Sequence, residues 1–263
     1  MPSTPSWPPK SAPRLFVGDT INLNAIITLD GTQAHYLGKV MRVRAGDAVI
    51  LCDNVTGEWA ARVDTVDKRR IEVTVVDHLR TREAVPDIWL CPALLKKDRF
   101  DLVLEKATEL GVARIQPIIT RRCVADKLNI DRATTITTEA AEQCARTALP
   151  QVVAPTSLDT LLNDWPETRI LFFADEESSD LGDGSPAQPA SVAFGHHTGP
   201  TAIVIGPEGG FDKAERAAIR AHPNARPISL GPRILRGETA AIAALSVWMG
   251  QAGDWGDTAS KQE

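Results

Sequence analysis

The sequence predicts an α/β protein, a mostly β first part followed by a domain of the doubly wound kind, on three observations. Short β-branched and aromatic runs at 48–52, 58–66 and 70–76 follow one another with only turn residues between them. From residue 88 onward, similar runs alternate with stretches of helical period. Two of those later runs, 202–205 and 225–230, end in glycine-bearing bends that lead straight into helices.

The 263 residues are 43% hydrophobic and 24% charged, which describes a globular protein long enough for two domains. No apolar run approaches the ~20 residues that cross a bilayer. The prolines of 1–13 stand where a secretory leader would need an apolar core, so a disordered tail and a cytoplasmic protein are expected. Cys52, Cys91, Cys123 and Cys144 are widely spaced and form no CxxC pair, which favours buried free thiols over zinc or a disulfide framework.

Taken in order, the first domain covers 14–84. Turn residues at 45–47, 54–57 and 67–68 separate its strands. The stretch 35–43 is the exception, with Leu37, Val40 and Met41 at helical spacing and Arg42 and Arg44 at its end. Val85 and Pro86 form the linker to a second domain, 85–252. There 88–95 is a strand and 99–110 a helix stopped by Gly111, with Val103, Ala107 and Leu110 as its apolar stripe. Residues 115–120 form the next strand. Two basic clusters, Lys96, Lys97 and Arg99, then Arg121 and Arg122, both follow strands and could share one edge. A helix around 136–147 carries Glu142, Gln143 and Arg146; 157–165 is a short helix and 169–174 a buried strand. Low-order Gly, Ser, Pro and Ala mark 178–200 as a flexible surface insertion, and the polar end, 253–263, is expected to fray. His196 and His197 have no third ligand nearby, so no metal is expected.

The two bends carry the functional signal. In the first, Ile205, Gly206, Pro207, Glu208, Gly209 and Gly210 precede a helix opened by Asp212, with Glu215 at capping-box spacing. In the second, Leu230, Gly231 and Pro232 lead through Arg233, Ile234, Leu235 and Arg236 into a small-residue helix, 238–249. Glycine at a strand end lets a ligand touch the backbone, and open α/β sheets bind ligands beyond their carboxyl edge. Neither a Walker A ending nor a G-x-G-x-x-G fingerprint is present. Either bend alone also reads as a plain turn or connector.

IGPEGGF at 205–211 with LGPRILRGETA at 230–240 resembles the paired signature of the RsmE family, the 16S ribosomal RNA uracil-N3 methyltransferases. HYLGKVMRVRAGD from His35, KKDRFDLVLEKATELGVARIQPIIT from Lys96 and EAAEQCAR from Glu139 resemble the same family, in its order, over 14–250. The resemblance implies a PUA-like β-barrel ahead of a SPOUT domain whose carboxyl-terminal segment forms a trefoil knot around S-adenosylmethionine. It implies a homodimer, with the apolar helix 240–249 as a contact surface, acting on one uridine of the decoding-centre helix in the small ribosomal subunit. Cofactor contacts would come from Phe173, Ile205, Gly206, Pro207, Glu208, Gly209, Gly210, Leu230, Gly231, Ile234, Leu235, Thr239 and Ala240. Arg14, Arg42, Arg44, Lys96, Lys97, Arg99, Arg121, Arg122 and Arg146 become RNA contacts, Arg146 alternatively a subunit contact, with a solvated charge cluster as the competing reading.

Net charge is −5, yet Lys and Arg stand 11 to 10 against Asp and Glu over 1–83, 10 to 9 over 84–150, and 8 to 15 beyond. The acidic excess lies in the last part, so a local basic face remains available to phosphates. The chemistry demands that a weakly acidic uracil N3–H lose its proton, or that charge be stabilised on the carbonyl oxygens. Arg233 and Arg236 are candidates for that stabilisation; Glu208 is a proton acceptor or a loop organiser, and Glu238 complements the positive end of the last helix. Alternatives are another RNA base or a ribose oxygen as target, or a non-catalytic assembly factor. The intact glycine bends and both arginines argue against the last.

Overall fold

Val, Ile, Thr and aromatic side chains fit a pleated, half-buried surface. In the computed structural model, which describes residues 7–175, 187–195 and 197–256, every run expected to be extended contains a strand. The chain divides into two units, 1–84 with 141–149, and 85–140 with 150–263.

In the first unit, β1 (Arg14–Phe16), β2 (Ile26–Asp30), β3 (Ala48–Cys52), β4 (Gly57–Val66) and β5 (Arg70–Thr81) form one sheet in the order β1-β3-β4-β5-β2. β1 runs parallel to β3 and the other neighbours are antiparallel. Alternation sends Val49, Leu51, Ala61, Val63, Ile71, Val73 and Val75 into one core with Leu15, Leu29 and Leu37. The helix expected at 35–43 is instead α1 (Gly31–His35) continued by a π-helical turn, Tyr36–Met41, which buries Leu37 and leaves Val40 and Met41 exposed. Residues 141–149 join this unit because Ala141 and Leu149 pack with Phe16 and Cys52, and the Glu83 carboxylate accepts from the N–H groups of Thr147 and Ala148.

The second unit contains β6 (Ile88–Pro92), α2 (Lys97–Glu109), β7 (Arg114–Ile115), β8 (Ile118–Ile119), α3 (Ile130–Cys144) as far as residue 140, β9 (Gln151–Val152), β10 (Thr156–Ser157) and α4 (Leu158–Asn163). There follow β11 (Ile170–Ala174), β12 (Gln188–Pro189), α5 (Ala190–Gly195), β13 (Thr201–Ile205), α6 (Lys213–Ala221), β14 (Ala225–Ser229) and α7 (Gly237–Gln251). The main sheet runs β12-β14-β11-β13-β6-β7-β9 with every pair parallel. Along it Leu90, Phe172, Ile203, Ile205 and Ile228 face a core closed by α2, α5 and α7. Cys91, Leu171, Phe173, Ala202 and Val204 face the opposite core, with Leu158 of α4 and Ile219 of α6. Both faces are therefore covered, as a parallel sheet requires.

Three expectations change. The run 115–120 is two short strands, β7 and β8, with Pro117, which has no N–H to donate, between them. The helix expected at 136–147 is α3, ending before Ala145, which takes a left-handed φ of 61°. Residues 187–195 are not a surface insertion: β12 adds to β14, and α5 buries Ala190 and Phe194 in the core. Residues 176–186 and 196 of that segment, with 1–6 and 257–263 of the expected tails, lie outside the described residues. Among the described residues no helix is long and apolar enough to cross a membrane, and no group of three His, Cys, Asp or Glu could hold a metal ion. Cys52 and Cys91 are buried free thiols, and burial pushes both up to about 12.

Candidate cofactor and substrate site

β14, β11 and β13 are adjacent parallel strands, so their carboxyl ends fall on one edge of the sheet. The chain leaving β13 turns through Gly210 at φ +66°, and the chain leaving β14 turns through Gly231 at φ +108°; at neither would a Cβ find an atom within 4 Å. The conformation favours glycine and the open space leaves main chain accessible. A cleft of about 220 Å³ opens here, lined by Ala174 and Asp175 from the end of β11 and by 228–235. Asp175 is buried and anchored by Arg216 at 2.7 Å and Arg220 at 2.5 Å, one turn apart on α6.

The two corners meet. At Gly237, where α7 begins, a Cβ would stand 3.4 Å from the Gly206 carbonyl oxygen, in van der Waals contact, and 3.0 Å from Leu95 Cδ2, which would have to give way. Arg122 Nη1 donates to the Gly209 carbonyl at 2.7 Å. The Arg121 N–H donates to Glu215 Oε1 at 2.7 Å, and its guanidinium pairs with Asp212 at 2.9 Å. Asp212 and Glu215 form the capping box of α6, and the Glu215 N–H together with Arg121 holds the Asp212 carboxyl below the usual carboxylate range. Arg99 Nη1 lies 3.1 Å from Glu208 Oε1. Arg233 and Arg236 are exposed, and their side chains make no hydrogen bond or ion pair with a described residue.

Comparison with known proteins decides what this edge belongs to. A family model described as an RNA methyltransferase domain matches residues 81–249, and another, an RNA methyltransferase PUA domain, matches 29–76. Ribosomal RNA small subunit methyltransferase E of Bacillus subtilis is 32% identical, the match covering 83% of this chain and 88% of that protein. The protein of the same name from Rickettsia conorii is 29% identical, covering 89% and 93%. The chain belongs to this RNA methyltransferase family. The structure of the Neisseria gonorrhoeae family member bound to S-adenosyl methionine is 27% identical, covers 93% of this chain and 99% of that one, and superposes with a TM-score of 0.79. The α/β class, a PUA-like domain ahead of a methyltransferase domain, agrees with the family. The cleft also suits the family's cofactor, since Gly231 presents bare main chain where a Cβ would otherwise fill the space.

Several residues expected at a family site lie elsewhere. Phe173 is fully buried on the face away from α7, because side chains alternate along β11; Ala174 and Asp175 form the wall instead. Ile205 and Ala240 are core side chains, the Ile205 carbonyl accepting from the Ala93 N–H and the Ala240 N–H donating to the Arg236 carbonyl, both at 2.8 Å, and Thr239 is exposed. Leu230, Gly231, Ile234 and Leu235 line the cleft; Gly206, Pro207, Gly209 and Gly210 form the adjoining corner.

Among the expected RNA contacts, Arg14 is tied to buried Glu58 at 2.5 Å, alongside Arg80, and Arg146 is buried, so neither is presented as a surface cation. Arg99, Arg121 and Arg122 turn toward the glycine corner. Arg42, Arg44, Lys96 and Lys97 are exposed. The resemblance implies a wall at the strand end where Asp175 stands, but not its anchoring by Arg216 and Arg220. The only trace of that anchoring in the sequence is an acid closing an apolar strand and two arginines one helical turn apart.

Proposed function

We propose that the protein transfers a methyl group from S-adenosylmethionine to N3 of one uridine in 16S ribosomal RNA, within the decoding-centre helix of the small subunit. The observation that carries this reading is the meeting of two glycine corners at the carboxyl edge of a parallel sheet, beside two exposed arginines whose side chains pair with no described residue. Main-chain groups of 206–210 and 230–235 hold the cofactor, which supplies an electrophilic methyl group. Arg233 and Arg236 donate hydrogen bonds to the uracil oxygens and to a flanking phosphate, stabilising negative charge as N3 loses its proton. Glu208, already engaged by Arg99, organises the first corner.

The domain division at 84/85 separates a PUA-like module, in which Arg42 and Arg44 meet RNA phosphates, from the methyltransferase module. In the latter, the segment from Leu230 onward threads a trefoil knot. The enzyme works in the cytoplasm as a homodimer. Ala241, Ala244, Leu245 and Trp248 of α7 are buried within their own unit, so the surface that α7 offers a second copy is the half-buried strip Ile242, Ala243, Ser246 and Val247. Mass spectrometry of 16S ribosomal RNA from a strain lacking the protein tests the activity. N3-methyluridine disappears and returns on complementation; an unchanged level contradicts the assignment.

A further inference from the structure

One guanidinium stands between two carboxylates that belong to different corners of the site. Arg99, in the first turn of α2, reaches Glu208 of the glycine corner with Nη1 at 3.1 Å, and its Nε lies 3.8 Å from Oε1 of Glu238 in the first turn of α7. Lys96 and Lys97, its neighbours in the same basic cluster, are exposed, and their side chains bond to no described residue. Arg99 is the member of the cluster that turns inward. A planar guanidinium presents donors along separate edges and can hold two acids at once, which a point-charge ammonium does less well. The Glu238 side chain is 12% exposed, and its Oε2 is buried with no hydrogen-bond partner among the described residues. Its charge is therefore offset by Arg99 and by the amino end of α7.

We propose that Arg99 is a positioning residue, a latch that fixes the glycine corner 206–210 against the start of α7 and so sets the two halves of the cofactor site in register. The inference rests on the reading that these corners hold S-adenosylmethionine. Without the latch, two acidic side chains that shared one cation repel each other, and one of them is nearly buried. The corners also meet in the packing of Gly237 against Gly206 and Leu95.

Equilibrium dialysis of labelled S-adenosylmethionine against the full-length wild type, Arg99→Ala, Arg99→Lys and Glu208→Gln, alongside filter binding of 16S ribosomal RNA over a salt series, separates a latch from a phosphate contact. The latch predicts that Arg99→Ala weakens cofactor binding on the order of tenfold and that Arg99→Lys recovers part of it. Adding Glu208→Gln to Arg99→Ala should cost little more, since the two residues act as one unit. RNA affinity and its salt slope should stay as in the wild type. Undiminished cofactor binding by Arg99→Ala, or a loss confined to RNA with a shallower salt slope, overturns the latch while leaving the function intact. A wild type that binds no cofactor overturns both.

Discussion

At Asp53 a single carboxylate gathers the N–H groups of Ile21, Val55, Thr56 and Gly57 and the Thr56 hydroxyl, pinning the turn between β3 and β4. Burial raises its pKa, but these donors outweigh that and lower it from 3.8 to about 2. Because the folded value is depressed, the stabilisation is complete above the unfolded value near ~4 and is lost as pH falls toward about 2. Asp53→Asn should therefore cost about 2 kcal/mol at neutral pH, with the gap from wild type closing as pH drops to about 2. Urea unfolding across that range measures it, and a gap independent of pH would contradict it. The arginines teach the complementary lesson. In sequence Arg14, Arg99, Arg146 and Arg236 are equivalent cations; folding buries Arg146, pairs Arg14 with Glu58, turns Arg99 onto two acids and leaves Arg236 facing solvent. Side-chain direction is set by tertiary packing, so charge clusters are legible and their targets are not.

Elements with a strong local signal were legible. The Asp212 and Glu215 capping box opens α6 as the spacing predicts, and the β-branched runs at 48–52 and 202–205 are buried strands. Elements too short for a period were not. β12 and α5 together span 188–195, and a two-residue strand with a six-residue helix is hidden by a composition of small residues. α7 is apolar on nearly every side, which a helix covered by neighbours requires. Read without those neighbours it looks like a dimer surface, but α5 and α2 occupy much of it. The bend after β14 makes a sharper claim. Gly231 holds φ +108°, a conformation costing other residues about 1–3 kcal/mol. Gly231→Ala should lower the melting temperature and weaken S-adenosylhomocysteine binding on the order of tenfold. A variant equal to wild type in both would show that the bend has no part in the site.

For the molecule as a whole, the class was readable from alternating strands and helices, and the family from two short motifs 25 residues apart at their starts, Ile205 and Leu230. What could not be read was the strand order. β11 lies between β14 and β13, and neither bend's sequence records that the chain leaving β14 comes back to place Gly237 against Gly206. That convergence makes one site of two distant segments, and the further roles given to Arg99, Arg233 and Arg236 depend on it. Calorimetric titration of the purified full-length protein with S-adenosylhomocysteine tests it most directly. A single class of saturable sites is expected, abolished when Gly206 and Gly231 are both replaced by valine, whereas absence of any binding heat from the wild type would contradict the account.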